Sequence, residues 1–173
     1  MNVQDRTPEN HCHDHRLRPP GLFADNRRYY DANSRPHGFV RDSGGTITTF
    51  DGPGVTTSPI SINPSGAIAG YYEGAQLHGF VRDPGGAITT FDVPGAAGTG
   101  QSRINPSGAI AGIYYDASFT PHGFMRDPRG AITTFDVPGA IETDPFSINP
   151  SGAITGGYLD ASFVPHGFVL VQP

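Results

Sequence analysis

Lysine is absent from this 173-residue chain: all 11 basic residues are arginine, and glutamate is reduced to three positions against 13 aspartates. Leucine is also scarce. The strong helix formers are therefore nearly missing, and turn-forming Asp dominates the acids, which predicts an all-β chain. The single cysteine, Cys12, excludes an internal disulfide and leaves the redox compartment open. A net charge of −5 with no basic run excludes the electrostatic footprint of a nucleic-acid binder or of an anionic-membrane binder. No apolar run approaches the roughly 18 residues of a membrane span, so membrane insertion is not expected. The polar N-terminus lacks the apolar core of a signal peptide, and the expectation is a soluble chain without an address. No catalytic motif, cofactor-binding motif or metal-ligand spacing stands in the sequence.

What is present is repetition. His37-Gly38-Phe39-Val40-Arg41-Asp42 returns from His78, from His122 (with Met125 for Val) and, as His166-Gly167-Phe168-Val169, near the C-terminus. The intervals of 41, 44 and 44 residues mark a repeat architecture. Gly (24) and Pro (17) make up about a quarter of the chain, and their fixed places in the repeat make them turn punctuation, not low complexity. Asn63-Pro64-Ser65-Gly66 recurs at Asn105 and Asn149, with Asn, Pro and Gly where a type I turn wants them. Each unit then offers four short strands: Ser61-Ile62-Asn63, Ala67 to Tyr72, His78 to Asp83 and Ala87 to Asp92, with their equivalents. The first unit lacks the opening strand and the last lacks the closing one, which gives fourteen strands. The expected organisation is a disordered arm over 1–21 and a repeat domain over 22–173. That domain divides into a partial unit 22–51, full units at about 60–93 and 102–137, and a partial unit 146–173. Arg27 and Arg28 fall where later copies have Gly112 and Ile113, charges that suit a sheet edge.

Within Ala87 to Asp92, Ile88 and Phe91 point to opposite faces, as do Phe80 and Val81. Strands apolar on both faces are covered on both sides, as in a β-propeller-like array of four-stranded antiparallel sheets. A β-trefoil is the alternative fold, and a parallel β-helix is disfavoured by its much shorter coils.

The order Ile-Asn-Pro-Ser-Gly-Ala-Ile-Ala-Gly-Tyr-Tyr, His-Gly-Phe and Ile-Thr-Thr-Phe-Asp-Val-Pro-Gly-Ala resembles the bacterial "probable extracellular repeat" of the HAF type, over about residues 29–171. The chain departs from that family in having Gly for the middle Ala of the name motif and Arg-Asp where an aromatic often follows. The resemblance implies a propeller-like fold and a surface or secreted setting. It brings no catalytic residues, so none is carried over.

Four strands per sheet leave fourteen strands half a sheet short. The choices are a body with two thin end sheets, a fragment, or a homodimer whose twenty-eight strands complete a ring of seven.

The candidate ligand-binding residues are the repeated His37, His78, His122 and His166, with Arg41, Arg82 and Arg126. A ring of imidazoles could hold a metal or an anion; the competing reading is a structural hydrogen bond to an Asp or Thr of the same unit. For the arginines and their neighbours Asp42, Asp83 and Asp127, a polar rim competes with local ion pairs and turn caps. Asp31, Asp116 and Asp160 offer a weak hint of calcium against an Asx-turn. His11, Cys12, His13 and His15 offer metal ligands on an arm that otherwise reads as a solvated tail. Glu73, Arg103, Glu142 and Asp144 break the repeat, and two such carboxylates from different loops, one after Tyr72 and one after Pro138-Gly139, could form a glycosidase pair. Tyr71, Tyr72, Tyr114, Tyr115 and Tyr158 could stack on sugars or serve as core. The function expected is a non-catalytic module for binding or scaffolding, with carbohydrate or a protein surface as ligand and no cofactor. The alternative is a glycan-active hydrolase or lyase using the asymmetric loop acids.

Overall fold

The computed structural model describes residues 28–171; the N-terminal arm and the first residues of the repeat domain lie outside them. The described residues form fourteen strands in four antiparallel sheets and no helix. The first sheet contains β1 (Arg28–Tyr30), β2 (Pro36–Arg41) and β3 (Ile47–Phe50). The second contains β4 (Thr56–Ile62), β5 (Ile68–Glu73), β6 (Leu77–Arg82) and β7 (Ile88–Phe91). The third contains β8 (Gly98–Ile104), β9 (Ile110–Tyr115), β10 (Pro121–Arg126) and β11 (Ile132–Phe135). The fourth contains β12 (Ala140–Ile148), β13 (Ile154–Asp160) and β14 (Pro165–Leu170). Among the described residues every strand pairs only with its neighbours in sequence. The β-trefoil alternative therefore fails, because a trefoil closes strands of different units into one barrel.

The Asn-Pro-Ser-Gly turns form as their residues dictate. The Gly66 amide donates to the Asn63 carbonyl at 2.9 Å, and Gly66 leaves the turn at φ 87°. Asn63 Oδ1 accepts from the amides of Ser65 and Ala67, at 3.1 and 3.0 Å. The opening strands run longer than Ser61-Ile62-Asn63 and its equivalents. They begin at Thr56, Gly98 and Ala140, and each has a register shift, at Pro59/Ser61, Thr99/Ser102 and Pro145/Ser147. Bulges, prolines and glycines hide the two-residue alternation there. Buried threonines anchor these segments: Thr57, Thr99 and Thr143 accept through Oγ1 from the amides of Gly52, Val93 and Val137, at 2.8, 3.0 and 3.2 Å.

The sheets stack face to face, and three apolar clusters fill the three interfaces. Ile68, Tyr72 and Phe80 meet Val40 and Phe50 between the first two sheets. Ile110 and Phe124 meet Ala69, Val81 and Phe91 between the second and third, and Ile154 and Phe168 meet Ala111, Met125 and Phe135 between the third and fourth. Both faces of the inner sheets are therefore covered, as the opposed Ile88 and Phe91 require. The linking contact recurs as edge-to-face pairs, Phe50–Phe80, Phe91–Phe124 and Phe135–Phe168, with ring centroids 6.0–6.2 Å apart.

Glycines supply the floor for these rings. A Cβ on Gly79 would lie 2.6 Å from the Phe91 ring, and one on Gly70 would lie 2.9 Å from Phe80. The Gly of His-Gly-Phe is thus fixed by the closing strand's phenylalanine, which lies directly over it. The sheets are also tied by a ladder of asparagines: Asn63 Nδ2 donates to the Asn105 carbonyl at 3.1 Å, and Asn105 Nδ2 to the Asn149 carbonyl at 3.0 Å.

Candidate ligand-binding face

The repeated histidines stand at one end of each sheet, opposite a tyrosine of the neighbouring strand. Register places Tyr29 across from His37, Tyr72 from His78, Tyr114 from His122 and Tyr158 from His166. The rings stack at centroid distances of 5.0–5.2 Å. The Asp that ends the closing strand takes Nδ1: Asp51 at 2.7 Å from His37, Asp92 at 3.0 Å from His78 and Asp136 at 3.0 Å from His122. The loop acids Asp31 and Asp116 approach Nε2 of His37 and His122 at 3.6 and 3.5 Å. In the fourth sheet Asp160 lies 3.0 Å from His166 Nε2. Each histidine is thus clasped within its own unit, and the four do not converge on one point.

These contacts move the protonation equilibria. The hydrogen bond to Asp51 raises the His37 pKa against partial desolvation. Burial works against protonation of His122, but Asp136 and then Asp116 outweigh it and the pKa is raised. Asp31, Asp116 and Asp160 are held below the usual carboxylate value, first by the backbone amides of Arg35, Thr120 and Val164. Those bonds are Asx-turns: Asp116 Oδ1 accepts from Ser118 at 2.8 Å and from Thr120 at 2.9 Å. Among the described residues no cluster of His, Cys, Asp and Glu is arranged to hold a metal, and the His11 to His15 segment lies outside them.

The arginines do not form the ion pairs expected with their neighbouring acids. Arg82 lies over the Phe50 ring at 5.0 Å and Arg126 over Phe91 at 5.1 Å, between sheets. Arg41 occupies the same place on the first sheet's outer face, where no sheet precedes it among the described residues, and is exposed. Asp42, Asp83 and Asp127 cap their turns, accepting from the amides of Thr46, Ala87 and Ala131.

The carboxylates that break the repeat fall in two places. Glu73 lines a depression of about 360 Å³ between the second and third sheets, with Gln76, Leu77, Ala97, Tyr115 and Phe119. Glu142 and Asp144 line another of about 320 Å³ on the fourth sheet, with Phe146, Tyr158 and His166. Glu142 and Asp144 share one strand, β12, and not a loop, and Glu73 lies in the other depression, so the expected pair of carboxylates from different loops is not brought together. Burial, then the charge of Glu142, raises the Asp144 pKa. Burial likewise raises the Tyr115 hydroxyl, with Asp144 and Tyr71 adding to it. Arg103 is half-buried, and desolvation lowers its pKa.

Two residues escaped the sequence reading. Phe119 and Phe163, at equivalent tips of the β9–β10 and β13–β14 loops, are 74% and 73% exposed and both have φ of 60°. A bulky side chain in the left-handed region is a backbone outlier, and its phenyl ring here gains almost no burial in return. The signal was the shared Asp-Ala-Ser-Phe, which the first unit replaces with Asp31-Ala32-Asn33-Ser34.

No protein-family model and no curated protein sequence matches the chain. Among solved structures, TolB from Acinetobacter baumannii, a β-propeller protein, is similar with a TM-score of 0.56 and 16% identity. The likeness covers 87% of this chain but only 40% of TolB. It is a likeness of fold.

Proposed function

We propose that the chain is an open β-propeller-type module of the HAF repeat kind that binds carbohydrate at the loop end of its sheets. The observation that carries this reading is the pair Phe119 and Phe163, two exposed rings held in a strained conformation at repeated positions. Flat aromatic faces take the apolar face of a sugar ring, and polar groups beside them fix its orientation. Phe119 borders the depression that also contains Tyr115, Gln76 and Glu73, the donors and acceptors that sugar hydroxyls need. The clasped histidines and the sheet-covered Arg82 and Arg126 serve the scaffold in this reading. A glycan array probed with the parent chain, Phe119→Ala and Phe163→Ala tests it. Retained folding with lost glycan signal in either variant is the expected result; no glycan bound by the parent chain overturns it.

A second reading, a glycan-active hydrolase or lyase, is favoured by one feature: the raised Asp144 beside Glu142 in a shared depression. It requires that Asp144→Asn abolish turnover of a glycan the chain cleaves. Bound glycans that all remain intact would remove it.

A further inference from the structure

We propose that the free edge of β14 is a docking site for an extended peptide strand of the Ile-Thr-Thr-Phe-Asp type. In the first three sheets, the His-Gly-Phe strand is flanked on both sides. β2, β6 and β10 pair with β3, β7 and β11, each placing the closing strand's phenylalanine opposite the glycine: Gly38 with Phe50, Gly79 with Phe91 and Gly123 with Phe135. Among the described residues, β14 pairs with β13 alone.

Two further features of β14 are open in the way that this partner would fill. The first is the glycine floor. A Cβ on Gly38, Gly79 or Gly123 would lie 2.6–2.7 Å from the phenylalanine ring above it, whereas a Cβ on Gly167 would meet nothing nearer than the Gly156 carbonyl at 3.8 Å. The second is the imidazole. Nδ1 of His37, His78 and His122 is taken by the aspartate that follows the closing phenylalanine, while among the described residues His166 is held only through Nε2, by Asp160. Its side chain is 40% exposed, against 21–23% for the other three.

The partner's chemistry follows position by position. Its backbone supplies antiparallel hydrogen bonds to β14, the way an extended peptide augments a sheet edge. Its aromatic residue lies over Gly167, and the acid next in sequence reaches His166 Nδ1. Two threonines before the ring fall opposite Phe168 and Val169, as Thr90 and Thr89 fall opposite Phe80 and Val81. The site selects a strand with an aromatic followed by a carboxylate, and rejects one with a β-branched residue or an amide at those places.

The test is fluorescence anisotropy with the full chain and a labelled peptide of sequence Ala-Ile-Thr-Thr-Phe-Asp-Val-Pro, that of residues 131–138. Saturable binding is expected, weakened about tenfold or more when the peptide carries Phe135→Ala or Asp136→Asn. The protein variant Gly167→Ala adds a methyl where the free chain has room, so its melting temperature matches the parent's while its peptide affinity falls by about tenfold or more. Proton NMR should show the imidazole resonances of His166 shifting when the peptide is bound. No saturation at millimolar peptide, or equal affinity of the parent and Gly167→Ala, overturns the proposal.

Discussion

One hydrogen atom in place of a methyl decides whether a phenylalanine can lie across the middle of each sheet. Gly79→Ala puts a Cβ 2.6 Å from the Phe91 ring, so the ring or the strand must shift, at a cost of roughly 1–3 kcal/mol. Gly167→Ala meets no such ring and should stay within about 0.5 kcal/mol of the parent; urea titration of both variants measures the contrast. Protonation acts at the same scale. Folding raises the pKa of His37 and His122 above the ordinary 6.5, so their stabilisation is fully present below that value and is lost as pH rises through the folded pKa. Folding lowers Asp31, Asp116 and Asp160 below 3.8, so theirs is present above that value and is lost as pH falls through the folded pKa. Thermal melts across a pH series should therefore peak between pH 3.8 and 6.5, and a profile still rising above neutrality would contradict the His–Asp clasp. The structural reading of the histidines was legible from their repetition, with the partner open between an aspartate and a threonine; the structure gives the aspartate. The tyrosine stacked on each ring was not, because only strand register places Tyr72 opposite His78.

At the scale of the element, the loops divide stability from binding. Phe119→Gly removes a left-handed penalty of about 1–2 kcal/mol and adds unfolded-chain entropy of about 0.5–1 kcal/mol, for a net gain of about 0.5 kcal/mol. Denaturation should show that gain, while glycan binding falls as it does for Phe119→Ala. A loss of stability instead would make the ring a packing element. The four strands of each unit were legible because Ile-Thr-Thr-Phe and His-Gly-Phe-Val recur with turn residues at fixed offsets. The start of each opening strand was not. Thr-Thr-Ser-Pro, Gly-Thr-Gly-Gln and Ile-Glu-Thr-Asp-Pro share a buried threonine but no alternation, since bulges and main-chain contacts shape those segments. The two loop phenylalanines were hidden for a related reason: they occur twice, and the eye for a repeat passes over what half the units lack.

At the scale of the whole molecule, stability should be graded along the stack, because among the described residues each sheet packs on its neighbours. The second and third sheets have both faces covered and contain Phe80 and Phe124, each 0% exposed. Hydrogen exchange should leave β5, β6, β9 and β10 protected longest and β1 and β14 shortest, and uniform protection would point to a single cooperative unit. The half-sheet shortfall that the strand count exposed is resolved as two three-stranded end sheets. Two paired chains would bring eight sheets, and a ring of seven would require end sheets to merge. The asparagine ladder has one more consequence. Its donor and acceptor are the same atoms at every step, separated by 42 and then 44 residues, so one joint looks like the next. Removing or duplicating a whole unit leaves each remaining joint of a kind already present. The chain is thus built to change length by modules, in jumps of a full sheet.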